Sequence, residues 1–276
     1  MLKLDPPDEN DLKTLGRLCK QPEWSAHKSA WENAYTAYKI AAGNPWIVKS
    51  VVFAEDIGAA QQKLYDNRKQ GGAIRRIRDT AGLKCCPMCG SGTTGTLDHY
   101  LPRAVYPEFS IFSLNLVPAC SHCNSGEKGS TITGDDDEYF LHPYFDTLAQ
   151  SAIWQIRFER PLAAVRFTPV PSPDLAGVPA KRVAFHIGEL LGGQFNRSMD
   201  TEWEALPQRL RDRLEHLADI RPADAALEIR RQLRDVIGSD GVNSWPAAFL
   251  RGVLADPEVV AHMATLATPL VAAALP

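Results

Sequence analysis

No stretch of the sequence runs for the ~18 uninterrupted apolar residues that a membrane span requires. The most apolar segment, 257–275, is broken by Glu258, His262 and Pro269, which excludes a transmembrane helix there. The start, MLKLDPPDENDLK, is polar and acidic and lacks the apolar centre of a secretion signal. The expected compartment is the reducing cytoplasm. An excess of charge is missing too: 30 Lys and Arg stand against 33 Asp and Glu, a net charge of −3. That excludes a uniformly basic nucleic-acid coat protein and confines any contact with a polyanion to local patches. Internal repeats and low-complexity tracts are absent. With 45% apolar and 23% charged residues over 276 positions, the chain has ordinary globular composition and is sized for one large domain or two small ones.

Cysteine is unevenly spread. There are six, and five lie between residues 85 and 123. A disulfide scaffold would distribute them through a short secreted chain, whereas clustered pairs belong to metal sites. The pairs are Cys86-Pro87-Met88-Cys89, followed by Gly90, and Cys120-Ser121-His122-Cys123. A two-residue spacer brings both sulfurs to one side of a tight turn. Two such pairs complete a tetrahedral four-cysteine site, which suits zinc, leaves no open position and is therefore structural. It would staple a loop-rich segment too short to build its own core. Buried free thiols or a redox CxxC are the alternatives, disfavoured by the second pair, and iron–sulfur ligation is a minor one. Cys85 has the wrong spacer. Cys19 stands alone and reads as a small core residue.

The pattern along the chain gives an α+β protein with three regions. Residues 1–81 are a helical N-terminal region. Trp24, Ala30, Trp31, Ala34, Tyr35 and Tyr38 recur at helical spacing, Gly43-Asn44-Pro45 breaks the pattern, and a second helix runs from about Ala54 to Asp66. Residues 82–145 hold the cysteine pairs. In 146–276, Trp154, Ile156 and Phe158 alternate with polar residues, as do Ala163, Val165 and Phe167, which predicts a β-hairpin. TPVPSPDLAGVPA reads as a Pro-rich loop and helices resume beyond about 186. Leu206, Leu210, Leu214 and Leu217 form one stripe; Leu227 or Ile229, then Leu233 and Ile237, form another. Residues 247–275 read as an Ala/Leu/Val-rich helical pair, for core packing or for docking a partner.

Between the cysteine pairs lie Asp98-His99 and Asn115-Leu116, and Asn124 and Lys128 follow the second pair. This sequence, CPMCG, LDHYLP, NLVPACSHCN and Lys128, resembles the HNH endonuclease family in its subgroup with a four-cysteine zinc site. The resemblance covers about residues 85–130, a sixth of the chain, and its specificity lies in the combination. It implies a ββα-metal core with Asp98-His99 ending the first strand, Asn115 before or on the second, and Asn124 on the helix.

The activity implied is hydrolysis of a nucleic-acid phosphodiester, most readily in double-stranded DNA. His99 would take the proton of the attacking water, since imidazole titrates near neutrality. Asp98 and Asn124 would hold a divalent cation. Asn124 stands where the family name requires His; loss of the nitrogen ligand favours Mg2+ or Mn2+ over Zn2+. Asn115 would orient His99 through its backbone or ring. Lys128 would meet a phosphate, or else be only a helix C-terminal charge beside Gly129. Without this frame, Asp98-His99 reads as a polar turn pair supporting the zinc loop. His122 falls two residues early for the missing His and reads as solvent-facing.

Charge is divided along the chain: 14 basic against 10 acidic residues over 1–84, then 2 against 8 over 85–150. A polyanion would therefore need cations from outside the motif. Arg75, Arg76, Arg78 and Lys84 lie just before it and are expected to contact the DNA backbone, unless the run is only a solvated helix face. Arg103 would touch a phosphate or pair with Glu108. The acidic run Asp135–Glu138 reads as an exposed loop. Proteins of this family and size imply a restriction or phage-defence setting, with an ATPase subunit as a possible partner and no membrane. The competing reading is a non-catalytic zinc-dependent protein that binds nucleic acid or scaffolds a partner.

Overall fold

The computed structural model describes residues 1–268. It is a mixed α+β structure in which ten helices surround two small antiparallel ladders. Five helices come first: α1 (Asp11–Leu18), α2 (Pro22–Ser25), α3 (Lys28–Ile40), α4 (Glu55–Arg68) and α5 (Gly72–Arg78). Asn10 starts α1 by accepting the amide of Lys13 on its side chain. α3 buries Trp31, Ala34, Tyr35 and Tyr38, which fall on one face at helical spacing. Those rings meet the segment that joins the strands of the first ladder. Tyr35 stacks on Phe112 at 4.0 Å between centroids, Tyr38 meets Phe109 edge-on at 4.9 Å, and the Trp31 indole donates to the Glu108 carbonyl at 2.7 Å.

The first ladder pairs β1 (Thr96–His99) with β2 (Leu116–Ala119), Asp98 opposite Val117 and His99 opposite Leu116. On one side it is closed by Ile74 and Ile77 of α5, which pack with Leu97, Leu116 and Ile111. A wide, π-type helical turn, Cys123–Glu127, follows β2. The second ladder pairs β3 (Trp154–Glu159) with β4 (Arg166–Pro171). Trp154, Ile156 and Phe158 point inward, as their alternation requires.

The rest is helical: α6 (Gly177–Leu190), α7 (Gly193–Arg213), α8 (Pro222–Asp240), α9 (Trp245–Ala255) and α10 (Pro257–Ala267). α9 lies so close on β3 that a Cβ at Gly252 would strike the Ile156 carbonyl. One core is continuous through all three sequence regions, from Trp31 through Phe112 to Trp154 and Phe249. No helix among the described residues is long and apolar enough to cross a membrane.

Three details differ from the sequence reading. Ala163 lies in a 3-10 turn (Leu162–Ala164), and the second strand starts later, at Arg166. That strand then continues through Pro169 and Pro171; an edge strand in a two-stranded ladder tolerates prolines because their missing N–H groups face away from the partner. Helix also resumes earlier, at Gly177, inside the Pro-rich segment. In α8 the buried stripe runs through Ile229, and Leu227 is exposed. In the 247–275 pair, Phe249, Leu250, Val253, Val259, Met263 and Ala267 are buried in the core, while residues 269–275 lie outside the described part.

Candidate functional site

The four cysteines Cys86, Cys89, Cys120 and Cys123 converge, with their sulfurs all within 4.8 Å of one another. Cys89 Sγ and Cys120 Sγ are 3.7 Å apart. A tetrahedron with Zn–S bonds of ~2.3 Å has edges of about 3.8 Å, so the donor set fits zinc in kind, number and spacing. Backbone amides donate to three of the sulfurs: Ser91 N–H to Cys89, Cys120 N–H to Cys86, and Cys123 N–H to Cys120. Such bonds favour thiolate, the form a metal needs. Cys85 is buried next to this cluster and takes no part in it; Cys19 is in the core.

Distant elements brace the first knuckle. Gly90 adopts φ +84°, and a Cβ there would strike the Asn243 carbonyl. The Trp245 indole donates to the Cys89 carbonyl at 2.8 Å, and the buried His186 Nε2 bonds the Met88 carbonyl at 2.6 Å.

The second half of the site is built by the hairpin. Cys120 directly follows β2 at the Thr96 end of the ladder, and His99 is at the other end. The helical turn after Cys120 runs back along β1, so that Lys128 reaches the His99 end. Its ammonium lies 3.0 Å from Asp98 Oδ2 and donates to the His99 carbonyl at 2.8 Å. Both partners are buried, Lys128 to 1% exposure and Asp98 to 5%. Burial raises the Asp98 pKa and the Lys128 charge opposes that rise. Asn124, half-buried, lies about one helical turn before Lys128.

The His99 ring bonds the Ser110 carbonyl through Nε2 at 3.0 Å. A carbonyl only accepts, so Nε2 carries the proton and Nδ1 presents a free lone pair. Desolvation lowers the His99 pKa to about 4, which leaves the ring neutral at pH 7. Tyr65 of α4 lies edge-on to it at 4.5 Å.

Asn115 holds the loop around His99 by its backbone. Its Oδ1 accepts the Leu101 amide at 2.8 Å, and its Nδ2 donates to the carbonyls of Leu101 and Phe109 at 3.0 and 3.3 Å. It makes no bond to the His99 ring. Behind it runs a buried chain that sequence reasoning missed. His142 Nδ1 accepts the Tyr144 amide, so its Nε2–H faces Tyr38 Oη at 3.0 Å. Tyr38 in turn donates to Asn115 Oδ1 at 3.1 Å. These partners are 77 and 104 residues apart along the chain, and no local motif marks them.

Several expectations are revised by the geometry. Lys128 is not available to a phosphate, because its ammonium is enclosed and engaged with Asp98. Arg103 pairs with Asp66 at 3.2 Å and lies over the Tyr65 ring, not with Glu108, whose buried carboxylate takes the Val51 amide. His122 is half-buried with Nε2 3.2 Å from Glu127. The basic run is largely engaged: Arg75 and Arg78 with Asp79, Arg76 bidentate with Glu9, and Lys84 with the Gly238 carbonyl. Exposed pairs of this kind are weak and exchange readily. The acidic residues Asp135–Asp137 are exposed.

Comparison with known proteins gives one partial relative. Protein ea31 of Escherichia phage lambda is 45% identical over an alignment of 92 residues that covers 31% of this chain and 31% of that protein. The chain thus matches about a third of the length of that relative. No protein-family profile and no solved structure matches the chain.

Proposed function

We propose that this protein is a zinc-stapled, metal-dependent endonuclease of the HNH type, acting on nucleic-acid phosphodiesters and most readily on DNA. The observation that carries this reading is the state of His99 at the end of β1. Its Nε2–H is fixed on the Ser110 carbonyl and its Nδ1 lone pair is free. An oriented imidazole with a free ring nitrogen can take a proton from water; the burial that lowers its pKa also weakens it as a base.

The surrounding residues serve that ring. Asn115 clamps the backbone at Leu101 and at Phe109, the residue before Ser110. The four-cysteine cluster fixes the start of the helical turn, and the turn delivers Asn124 and Lys128 towards β1. A divalent cation, Mg2+ or Mn2+, would be held by Asp98 and Asn124 and would offset charge on the phosphate. The hard oxygen donors fit such an ion. Lys128 lies 3.0 Å from Asp98, so such an ion would have to share that carboxylate with an ammonium.

The same ion pair favours a second reading, a non-catalytic zinc-dependent protein that binds nucleic acid or scaffolds a partner, in which Asp98 serves packing alone. The two are separated by incubating supercoiled plasmid with purified protein and Mg2+ or Mn2+, alongside His99→Ala. Nicked or linear product that depends on His99 supports the nuclease. Binding with no cleavage in either protein supports the second reading. A restriction or phage-defence setting with an ATPase partner is part of the proposal, carried by the family resemblance alone.

A further inference from the structure

The cations expected to meet nucleic acid are mostly paired with nearby acids, yet a different set is not. A cleft of about 560 Å³ opens between α1 and the turn joining α4 to α5. It is lined by Lys13 and Arg17 from α1 and by Arg68 and Arg76 from α4 and α5. Its volume suits a nucleotide-sized group. Two carboxylates also face it, and both are engaged. Glu9 takes Arg76 bidentate, and Asp11 accepts the Ser113 amide and hydroxyl.

Among the described residues, Lys13, Arg17 and Arg68 have no carboxylate partner. Arg68 Nη1 is shielded from solvent and makes no hydrogen bond. A guanidinium nitrogen without an acceptor is costly, and the cleft carries net positive charge, with Lys13, Arg17, Arg68 and Arg76 against Glu9 and Asp11, which favours an oxyanion.

The cleft adjoins the His99 site through two elements. Ile111, on its wall, follows Ser110, whose carbonyl holds the His99 ring. Tyr65, which packs on His99, precedes Arg68 by one turn of α4. A strand presented to His99 would therefore pass beside these cations.

We infer that this cleft is a phosphate-oxyanion subsite formed by Lys13, Arg17 and Arg68, and that its occupant is the sugar–phosphate backbone of the strand flanking His99. The inference rests on the nuclease reading for its occupant. The recognising chemistry is that of any phosphate oxyanion, so a free nucleotide phosphate is the rival source.

The test uses the full chain, a fluorescent 20-base-pair duplex and fluorescence anisotropy from 50 to 300 mM salt, without added Mg2+ or Mn2+. The triple variant Lys13→Gln/Arg17→Gln/Arg68→Gln is compared with wild type and with Arg234→Gln, an exposed control on α8. Removing one cation that neutralises a phosphate lowers the salt slope by about 0.9. The expected result is a slope smaller by about 2–3 units and an affinity down by about tenfold or more, with the control unchanged. Thermal melting confirms folding; should the triple variant fail to fold, Lys13→Gln/Arg17→Gln, both on the exposed face of α1, carries the same comparison with a slope smaller by about 2 units.

An unchanged slope and affinity overturn the subsite. In a second arm, pyrophosphate and AMP compete with the duplex. Weak competition, in the millimolar range, supports the strand. Micromolar competition abolished by the triple variant overturns the strand as occupant in favour of a free phosphate ligand. Cleavage by wild type with unaltered salt slopes in the variants sinks the subsite alone. Variant-dependent duplex binding with no cleavage by wild type sinks the nuclease reading and leaves the subsite standing.

Discussion

Replacing Lys128 with methionine isolates the ion pair at the centre of the site. The substitution keeps most of the side-chain length and removes the charge. Lys128 and Asp98 are both almost fully buried and 3.0 Å apart, so Lys128→Met leaves the Asp98 carboxyl without its counter-charge in a desolvated site. It also removes the donor to the His99 carbonyl. Breaking a buried pair from one side costs about 3–5 kcal/mol. With a urea slope of about 3 kcal/mol per molar, the unfolding midpoint falls by about 1–1.7 M. Asp98→Asn in the same background removes the stranded charge and recovers most of the loss, which makes the double variant more stable than Lys128→Met alone. Urea denaturation followed by tryptophan fluorescence measures all four proteins of this cycle. A loss below about 1 kcal/mol for Lys128→Met, or no recovery with Asp98→Asn, would refute the claim that the two groups form a dry, mutually dependent pair.

Three further outcomes are expected. One zinc ion per chain is found by elemental analysis; Cys120→Ser loses it and unfolds at lower temperature, while Cys85→Ser, whose residue lies outside the cluster, keeps it. His142 and His186 are buried with pKa values lowered to about 3 and about 4 by desolvation, so the unfolded chain binds more protons than the folded one below pH 6.5. Stability therefore falls as pH drops, by about 1.4 kcal/mol for each at pH 5.5 relative to pH 8, and the slope flattens in His142→Gln; an unaltered slope in that variant contradicts the assignment. Tyr38→Phe strands the His142 Nε2–H and one acceptor of Asn115, at a cost of about 1–3 kcal/mol in urea, whereas a neutral effect would show that the buried chain carries no load.

The four-cysteine cluster was legible in the sequence because both pairs are local: a two-residue spacer dictates where two sulfurs point whatever surrounds them. The Trp154–Phe158 strand was legible for the same reason, since alternation is a local signature of a half-buried ladder. The braces were not. Trp245 meets Cys89 across 156 residues and His186 meets Met88 across 98, and nothing near either residue announces its partner. The basic run misled because its charge was counted along the chain. In space Arg76 finds Glu9, while Arg17 and Arg68, remote in sequence, face one cleft whose two acids, Glu9 and Asp11, are engaged with other partners. Lys128 was correctly tied to Asn124 by one helical turn, but only the path of that turn along β1 reveals that its charge points inward to Asp98.

The account stands or falls on His99. Plasmid cleavage by zinc-loaded protein should be measured as an initial rate in Mg2+ and in Mn2+, with duplex binding measured in parallel. The account predicts that His99→Ala loses about 10²–10⁴-fold in rate while binding within about twofold of wild type, as removal of a general base requires. Cleavage by His99→Ala at the wild-type rate would contradict it, as would the absence of any cleavage by wild type that binds DNA and holds its zinc.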